Sequence, residues 1–177
     1  MYEFTLQIEA NGTAAMNNQM RHIRINHRIL LIYQNSYWEN RDVNVVRKVV
    51  NVCGLKKNGM SVKLANDSEI QRLNHQWRGI KKPTNVLSFP NISWKKDSCN
   101  SFEYLGDVII SYETLKKETS VKKIPFSNHL SHLLIHGILH LQGYRHDVWL
   151  EENIMKKEEI RILEMLKINT KYLKKNL

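Results

Sequence analysis

Cysteine is scarce in this 177-residue chain, with only Cys53 and Cys99. Two such residues make no disulfide framework and no Cys-x-x-Cys ligand pair, so a reducing cytosol is the simplest home. No apolar run approaches the ~20 residues that span a bilayer, and the opening segment has no hydrophobic signal core. A cytoplasmic protein without a membrane partner is therefore expected. No repeat or low-complexity segment is visible, which excludes a solenoid or array. Carboxylates are also in short supply: 17 Asp and Glu face 27 Lys and Arg, a formal net charge of +10. Such an excess favours a polyanionic partner through counterion release, with nucleic acid first in line, although a basic balance also serves general solubility. The length suits one domain with a real core and is too short for two comfortable ones. Residues 21–177 are read as that domain. Residues 1–20 are weakly patterned and read either as a leading strand or as an extension outside the core.

What the chain does have is histidine, concentrated. Five of its eight histidines fall within Asn128–Asp147. His136 and His140 are four apart, which places both imidazoles on one helix face, a turn apart, able to reach one ion. Gly143 follows where a helix would end in a left-handed residue. His146, beyond that reversal, is placed to swing back toward the same ion. Neutral imidazole suits zinc, and three protein ligands leave a fourth position for water, the mark of a catalytic site. His132 and His140 lie about 12 Å apart along a straight helix, so one ion cannot hold both. Leu130, Leu133, Leu134, Ile135, Ile138, Leu139 and Leu141 cover nearly the whole helix, which therefore reads as buried. A dry, rigid shell of that kind holds ligands in place.

The rest of the chain reads as alternating elements. Ile29–Tyr33 is a short apolar run expected to be a buried strand. Asp42–Cys53 carries Val43, Val46, Val50 and Cys53 at helical spacing, closed by Gly54. Met60, Val62 and Leu64 alternate with Ser61, Lys63 and Ala65, the pattern of a half-buried strand. Asn66 followed by Glu69 suggests a capping box, with Ile70, Leu73 and Trp77 as the buried stripe of a helix stopped at Gly79. Val86–Phe89 is a strand that Pro90 ends, with Thr84 and Asn85 at its mouth. Asn91–Ser101 is polar and reads as a surface loop, in which Trp94 beside Lys95 and Lys96 is able to stack a base. Leu105–Ile110 reads as a core strand and Tyr112–Glu118 as a short helix, and Pro125 opens the histidine helix. A last helix from about Glu151 buries Met155, Ile162 and Leu166. Glu159 shares that apolar face, where a carboxylate needs a cation, for which a buried arginine is the expected partner. The C-terminus is lysine-rich, a tail that tracks RNA or is simply solvated. Four strands and about five helices make an α+β or α/β layered domain, taken here as α+β.

His136–Asp147, His-Gly-Ile-Leu-His-Leu-Gln-Gly-Tyr-Arg-His-Asp, resembles the signature of the YbeY-type endoribonucleases, metal-dependent bacterial enzymes of ribosomal RNA maturation. Leu73-Asn74, Arg78-Gly79 and Pro83–Pro90 resemble a second block of that family, and Leu105–Val108 a third. The order of the blocks is also the family's. Arg145 departs from the pattern, in which an acidic residue is usual. The resemblance implies a mixed sheet of about four strands with helices packed over it and a metal site at the end of the buried central helix. It implies zinc held by His136, His140 and His146, with other divalent transition metals as alternatives. It also implies Arg78 as the catalytic contact to the scissile phosphate, where a guanidinium fits. The implied substrate is single-stranded ribosomal RNA, with the small ribosomal subunit as partner and no DNA. The metal, or Asp147, would supply the base.

Two other functions fit part of the pattern. The spacing H-x-x-x-H-x-x-G-x-x-H also matches the metzincin metalloproteases, but those need a Glu after the first His, and Gly137 takes no proton. The other is an RNA-binding ribosome-assembly factor whose zinc is structural.

Overall fold

The computed structural model describes residues 20–26, 28–34, 37–55, 58–91 and 103–174. Among these, no helix is long and apolar enough to cross a membrane. The described residues form eleven elements in the order β1 (Met20–Asn26), β2 (Ile29–Gln34), α1 (Asn40–Val52), β3 (Asn58–Ala65), α2 (Asp67–Arg78), β4 (Val86–Pro90), β5 (Glu103–Ser111), α3 (Tyr112–Lys122), α4 (Phe126–Leu141), α5 (Trp149–Met165) and the one-turn α6 (Lys171–Lys174). The sheet order is β1-β2-β3-β5-β4. Strands β2, β3 and β5 are parallel, while the edge strands β1 and β4 run antiparallel to their neighbours. The expected α+β domain with a mixed sheet is thus present, with one strand more than the four expected. That strand is β1, whose alternation is exposed on one face and only half-buried on the other. Met20, one residue before the expected domain start, pairs with Gln34. Residues 1–19, and Trp94, Lys95 and Lys96, lie outside the described residues.

The main core lies between one face of the sheet and helices α1, α4 and α5, with Leu31, Val62, Val108, Val46, Leu134, Ile138 and Leu163 all fully buried. A smaller core on the opposite face joins α2, through Ile70 and Leu73, to Leu87 and Ile109. Because β3 lies between these cores it is buried along both faces, not one. Its Lys63 is 4% exposed and meets Glu69 in an ion pair. This contact occupies the carboxylate expected to close a capping box, although Asn66 still caps α2 by accepting from the Glu69 N–H at 2.9 Å. Trp77 extends the buried stripe of α2 past its limit. It is 47% exposed, near the edge strand β4, with Phe89 edge-on to it at 5.9 Å.

Helix α4 lies close against the sheet. A Cβ added at Gly137 would sit 2.7 Å from Val108 Cγ1 and 3.1 Å from Ser88 Oγ. Ala in a helix interior is favoured over Gly by about 1 kcal/mol, but a stiff valine cannot yield cheaply, and overpacking costs about 1–3 kcal/mol. Gly137→Ala is therefore expected to lower stability by up to about 2 kcal/mol in denaturant unfolding, where helix propensity alone predicts a gain.

A polar cluster ties α3 and β4 to the start of α4. Asn85 Nδ2 donates to both carboxylate oxygens of Glu118, at 3.0 and 3.2 Å, and the buried His129 also hydrogen-bonds this carboxylate. Burial raises the Glu118 pKa, but the hydrogen bonds from His129 and Asn85 outweigh it and hold the group below its ordinary 4.5. A depressed folded-state pKa stabilises the fold above the unfolded value, and that stability is lost as pH falls through the folded one. Glu118→Gln should be about 1.5–3 kcal/mol less stable at neutral pH, and its urea midpoint should lack the part of the acid sensitivity that wild type shows below 4.5.

Candidate metal centre

The five clustered histidines divide by their place on α4 and the turn that follows. His129, 1% exposed, faces α3 through Glu118. His132 is directed toward α5. His136, His140 and His146 come together: one ligand nitrogen from each lies within 4.8 Å of the others. The ring centroids are 4.6 Å apart for His136–His140, 4.9 Å for His140–His146 and 5.6 Å for His136–His146. The Nε2 atoms of His136 and His140 are separated by 3.1 Å. Two nitrogens at 2.0–2.1 Å from one tetrahedral ion would stand about 3.3 Å apart. The donor set thus fits a single zinc-sized ion.

The turn that returns His146 is built from the backbone. Gly143 has φ 94, in the left-handed region. Its N–H donates to the His140 carbonyl and the Tyr144 N–H to the Leu139 carbonyl, each at 3.0 Å. These two bonds are the Schellman pair that satisfies the last carbonyls of a helix. The same turn brings the Tyr144 carbonyl to His140, whose Nδ1 donates to it at 3.0 Å. With Nδ1 protonated, Nε2 keeps its lone pair. Burial first, and then the neighbouring His136, hold the His140 pKa below the ordinary imidazole value, which favours the neutral, ligating form.

His136 is oriented from α5. Its Nδ1 donates to Glu159 Oε1 at 2.7 Å, and His132 Nε2 donates to Oε2 of the same carboxylate at 3.1 Å. An ionised carboxylate can only accept, so the proton of His136 sits on Nδ1 and its Nε2 faces the cluster. Burial pushes the Glu159 pKa up, but the hydrogen bonds from His132 and His136 prevail and hold it at about 2. The sequence marks Glu159 as a carboxylate on an apolar face in need of a cation. Its partners are two histidines and not the arginine expected. Glu159 and the Tyr144 carbonyl are the supports that sequence reasoning missed, since each touches its histidine only through the crossing of α5 and the turn after α4.

The other expected residues lie apart from the cluster. Arg78 is exposed on the last turn of α2, where its Nη1 donates to Asn74 Oδ1 at 3.4 Å. No hydrogen bond links it to the three histidines. Strand β4 lies between, with Ser88 turned toward α4 and Phe89 toward Trp77 of α2. The Asn85 amide is occupied by Glu118 and is not free to meet a ligand. Asp147 and Arg145 are exposed on either side of His146. Gly137 has no room for the glutamate that a metzincin-type base would need.

Fold and site together define a class: a one-domain α+β protein that converges three imidazoles, two of them braced through Nδ1, at the end of its buried helix. The family model described as Endoribonuclease YbeY matches residues 30–167, and the chain belongs to this family. It is 38% identical over 139 residues to the endoribonuclease YbeY of Ehrlichia chaffeensis, covering 75% of this chain and 87% of that one. Its identity to the protein of the same name from Bradyrhizobium diazoefficiens is 44% over 117 residues, covering 64% of this chain and 63% of that one. The solution structure of TM1509 from Thermotoga maritima superposes with a TM-score of 0.54 at 25% identity, covering 77% of this chain and 86% of that one.

Removing a carboxylate that orients a ligating histidine typically costs 10- to 100-fold in metal affinity. Glu159→Ala should therefore release zinc to a competing chelator about 10- to 100-fold more readily than wild type. Tyr144→Phe, which keeps the backbone carbonyl, should match wild type in the same titration.

Proposed function

We propose that the chain is a metal-dependent endoribonuclease that prefers single-stranded RNA and acts on ribosomal RNA precursors, with the small ribosomal subunit as its setting. The observation that carries this reading is the convergence of three imidazole nitrogens within 4.8 Å, with the rings of His136 and His140 turned so that their lone pairs face one point. Family membership supports the RNA substrate, and the net charge of +10 agrees with a polyanion. His136, His140 and His146 hold the ion, for which three neutral imidazoles make zinc the first choice. So held, zinc supplies Lewis-acid polarisation of a phosphoryl oxygen.

The chain's own groups do the rest. Glu159 and the Tyr144 carbonyl fix the tautomers of His136 and His140, so that neither presents a protonated Nε2 to the site. Arg78 takes the scissile phosphate through its guanidinium fork and offsets the charge that gathers on its oxygens. Its side chain is within reach of the buried Asn74, which limits its rotamers. Asp147, exposed one residue beyond His146, is the carboxylate available to accept a proton.

The test is cleavage of an end-labelled single-stranded RNA by wild type, His136→Ala and Arg78→Ala prepared identically, with and without chelator. Chelated wild type and His136→Ala should be inactive. Arg78→Ala should keep its metal and fold while losing roughly 100- to 1,000-fold in rate, the usual cost of removing a transition-state charge partner. Equal cleavage by His136→Ala would assign the activity to a contaminant. Absence of cleavage by metal-loaded wild type would favour the assembly-factor reading.

A further inference from the structure

Helix α2 carries a basic cleft that the site above does not use. Ser68, Gln71, Arg72, His75 and Lys81 line a space of about 310 Å³. Residues 68, 72 and 75 stack on one helix face, and Arg78 continues the row one turn beyond His75. Lys81 joins from the loop after Gly79, whose φ of 72 reverses the chain. This loop is held in place from the helix. Gln71 Nε2 donates to the Lys81 carbonyl at 3.2 Å, and Asn74 Nδ2 donates to the Lys82 carbonyl at 2.7 Å. Asn74 is 2% exposed, so the anchor is a buried amide that also accepts from Arg78.

Among the described residues the charge of this surface is not paired with carboxylate. No Asp or Glu occurs between Ile70 and Asn85, whereas Arg72, Arg78, Lys81 and Lys82 do. The two carboxylates nearest in sequence are engaged elsewhere. Asp67 accepts from Ser111 and Thr114, and Glu69 pairs with Lys63. Among the described residues no carboxylate forms an ion pair with Arg72, His75 or Lys81. A guanidinium, an ammonium, an imidazole and a hydroxyl around one concavity are a donor set for phosphate oxygens. A neutral or cationic ligand would leave the charge unanswered.

We propose that this cleft is a remote phosphate subsite, which grips the backbone of a single-stranded RNA whose scissile phosphate lies at Arg78. The inference rests on the endoribonuclease reading and deepens it, since it sets a length of strand beyond the cut that the protein must hold. Arg72 and Lys81 would each meet one backbone phosphate, and neither takes part in cleavage.

Arg72→Ala/Lys81→Ala and, separately, Lys81→Glu test it, the latter changing only an exposed loop residue. Each is titrated, over a range of salt, with a 2′-O-methyl single strand long enough to reach both sites and resistant to cleavage. In the double variant, loss of two phosphate contacts should lower the slope of log affinity against log salt by about 1.4 and weaken binding about 25-fold at about 0.1 M salt, and Lys81→Glu should lower the slope by about 0.7. Metal content, melting temperature and cleavage of an RNA dinucleotide should stay at wild-type values. An unchanged slope and affinity, with wild type still cutting RNA, would overturn the subsite and leave the activity standing. Failure of wild type to bind or cut RNA at all would remove the activity reading, and the subsite with it.

Discussion

Helix α4 approaches the sheet at Gly137 until the methyl groups of Val108 occupy the place where a side chain would begin. Most of the molecule's arrangement follows from that contact. It lets Leu134, Ile135 and Ile138 disappear into the core. It also fixes the rotation of α4 about its own axis, which decides where each histidine points. With Gly137 turned to β4 and β5, its neighbour His136 emerges half-buried toward α5, and His140 one turn later toward the same opening. A helix free to roll would carry the same residues and no defined site. The glycine that removes a protease-type base is thus also the one that seats the helix.

Several polar links join one element of this fold to another. Glu159 joins α5 to His132 and His136, Glu118 joins α3 to His129 and Asn85, Asp67 joins α2 to Ser111 and Thr114, and Lys63 joins β3 to Glu69. An ionised group left alone in such surroundings would cost several kcal/mol, so removing either member of a pair penalises the other. These links give the apolar core the specificity of orientation that greasy contacts lack. At Glu159 the link reaches the histidine cluster: a carboxylate held ionised by two imidazoles keeps the proton of His136 away from the face turned to His140.

Much of this was legible in the sequence where the information is local. The periodicity of α1, α2, α4 and α5, the glycine stops at Gly79 and Gly143, and the His136, His140 and His146 spacing all depend on residues within a turn or two of one another. Strand β1 was missed because a half-exposed edge strand carries little hydrophobic signal, and pairing with β2 supplies what its composition does not. The alternating lysine of β3 suggests a solvent face by sequence, where the structure buries both faces. Only the placement of Glu69 on α2 gives the buried Lys63 its ionic partner. Trp77 continues a buried stripe by spacing, yet among the described residues β4 is the edge of the sheet beneath it.

The sequence by itself determined which residues are able to share an ion, because helix geometry sets the distance between His136 and His140, and a left-handed glycine sets where His146 returns. It determined that the helix bearing them is buried, because apolar side chains surround it. Tertiary structure decided what a linear reading cannot: that Glu159 meets two histidines in place of an arginine, that the Tyr144 carbonyl sets the tautomer of His140, and that Asn85 serves Glu118. It also gathered Arg72, His75 and Lys81 around one cleft. The physical reason is range. Spacing along a helix is fixed by covalent geometry, whereas the partner of a buried charge is chosen by whichever donor the packing brings within hydrogen-bond distance.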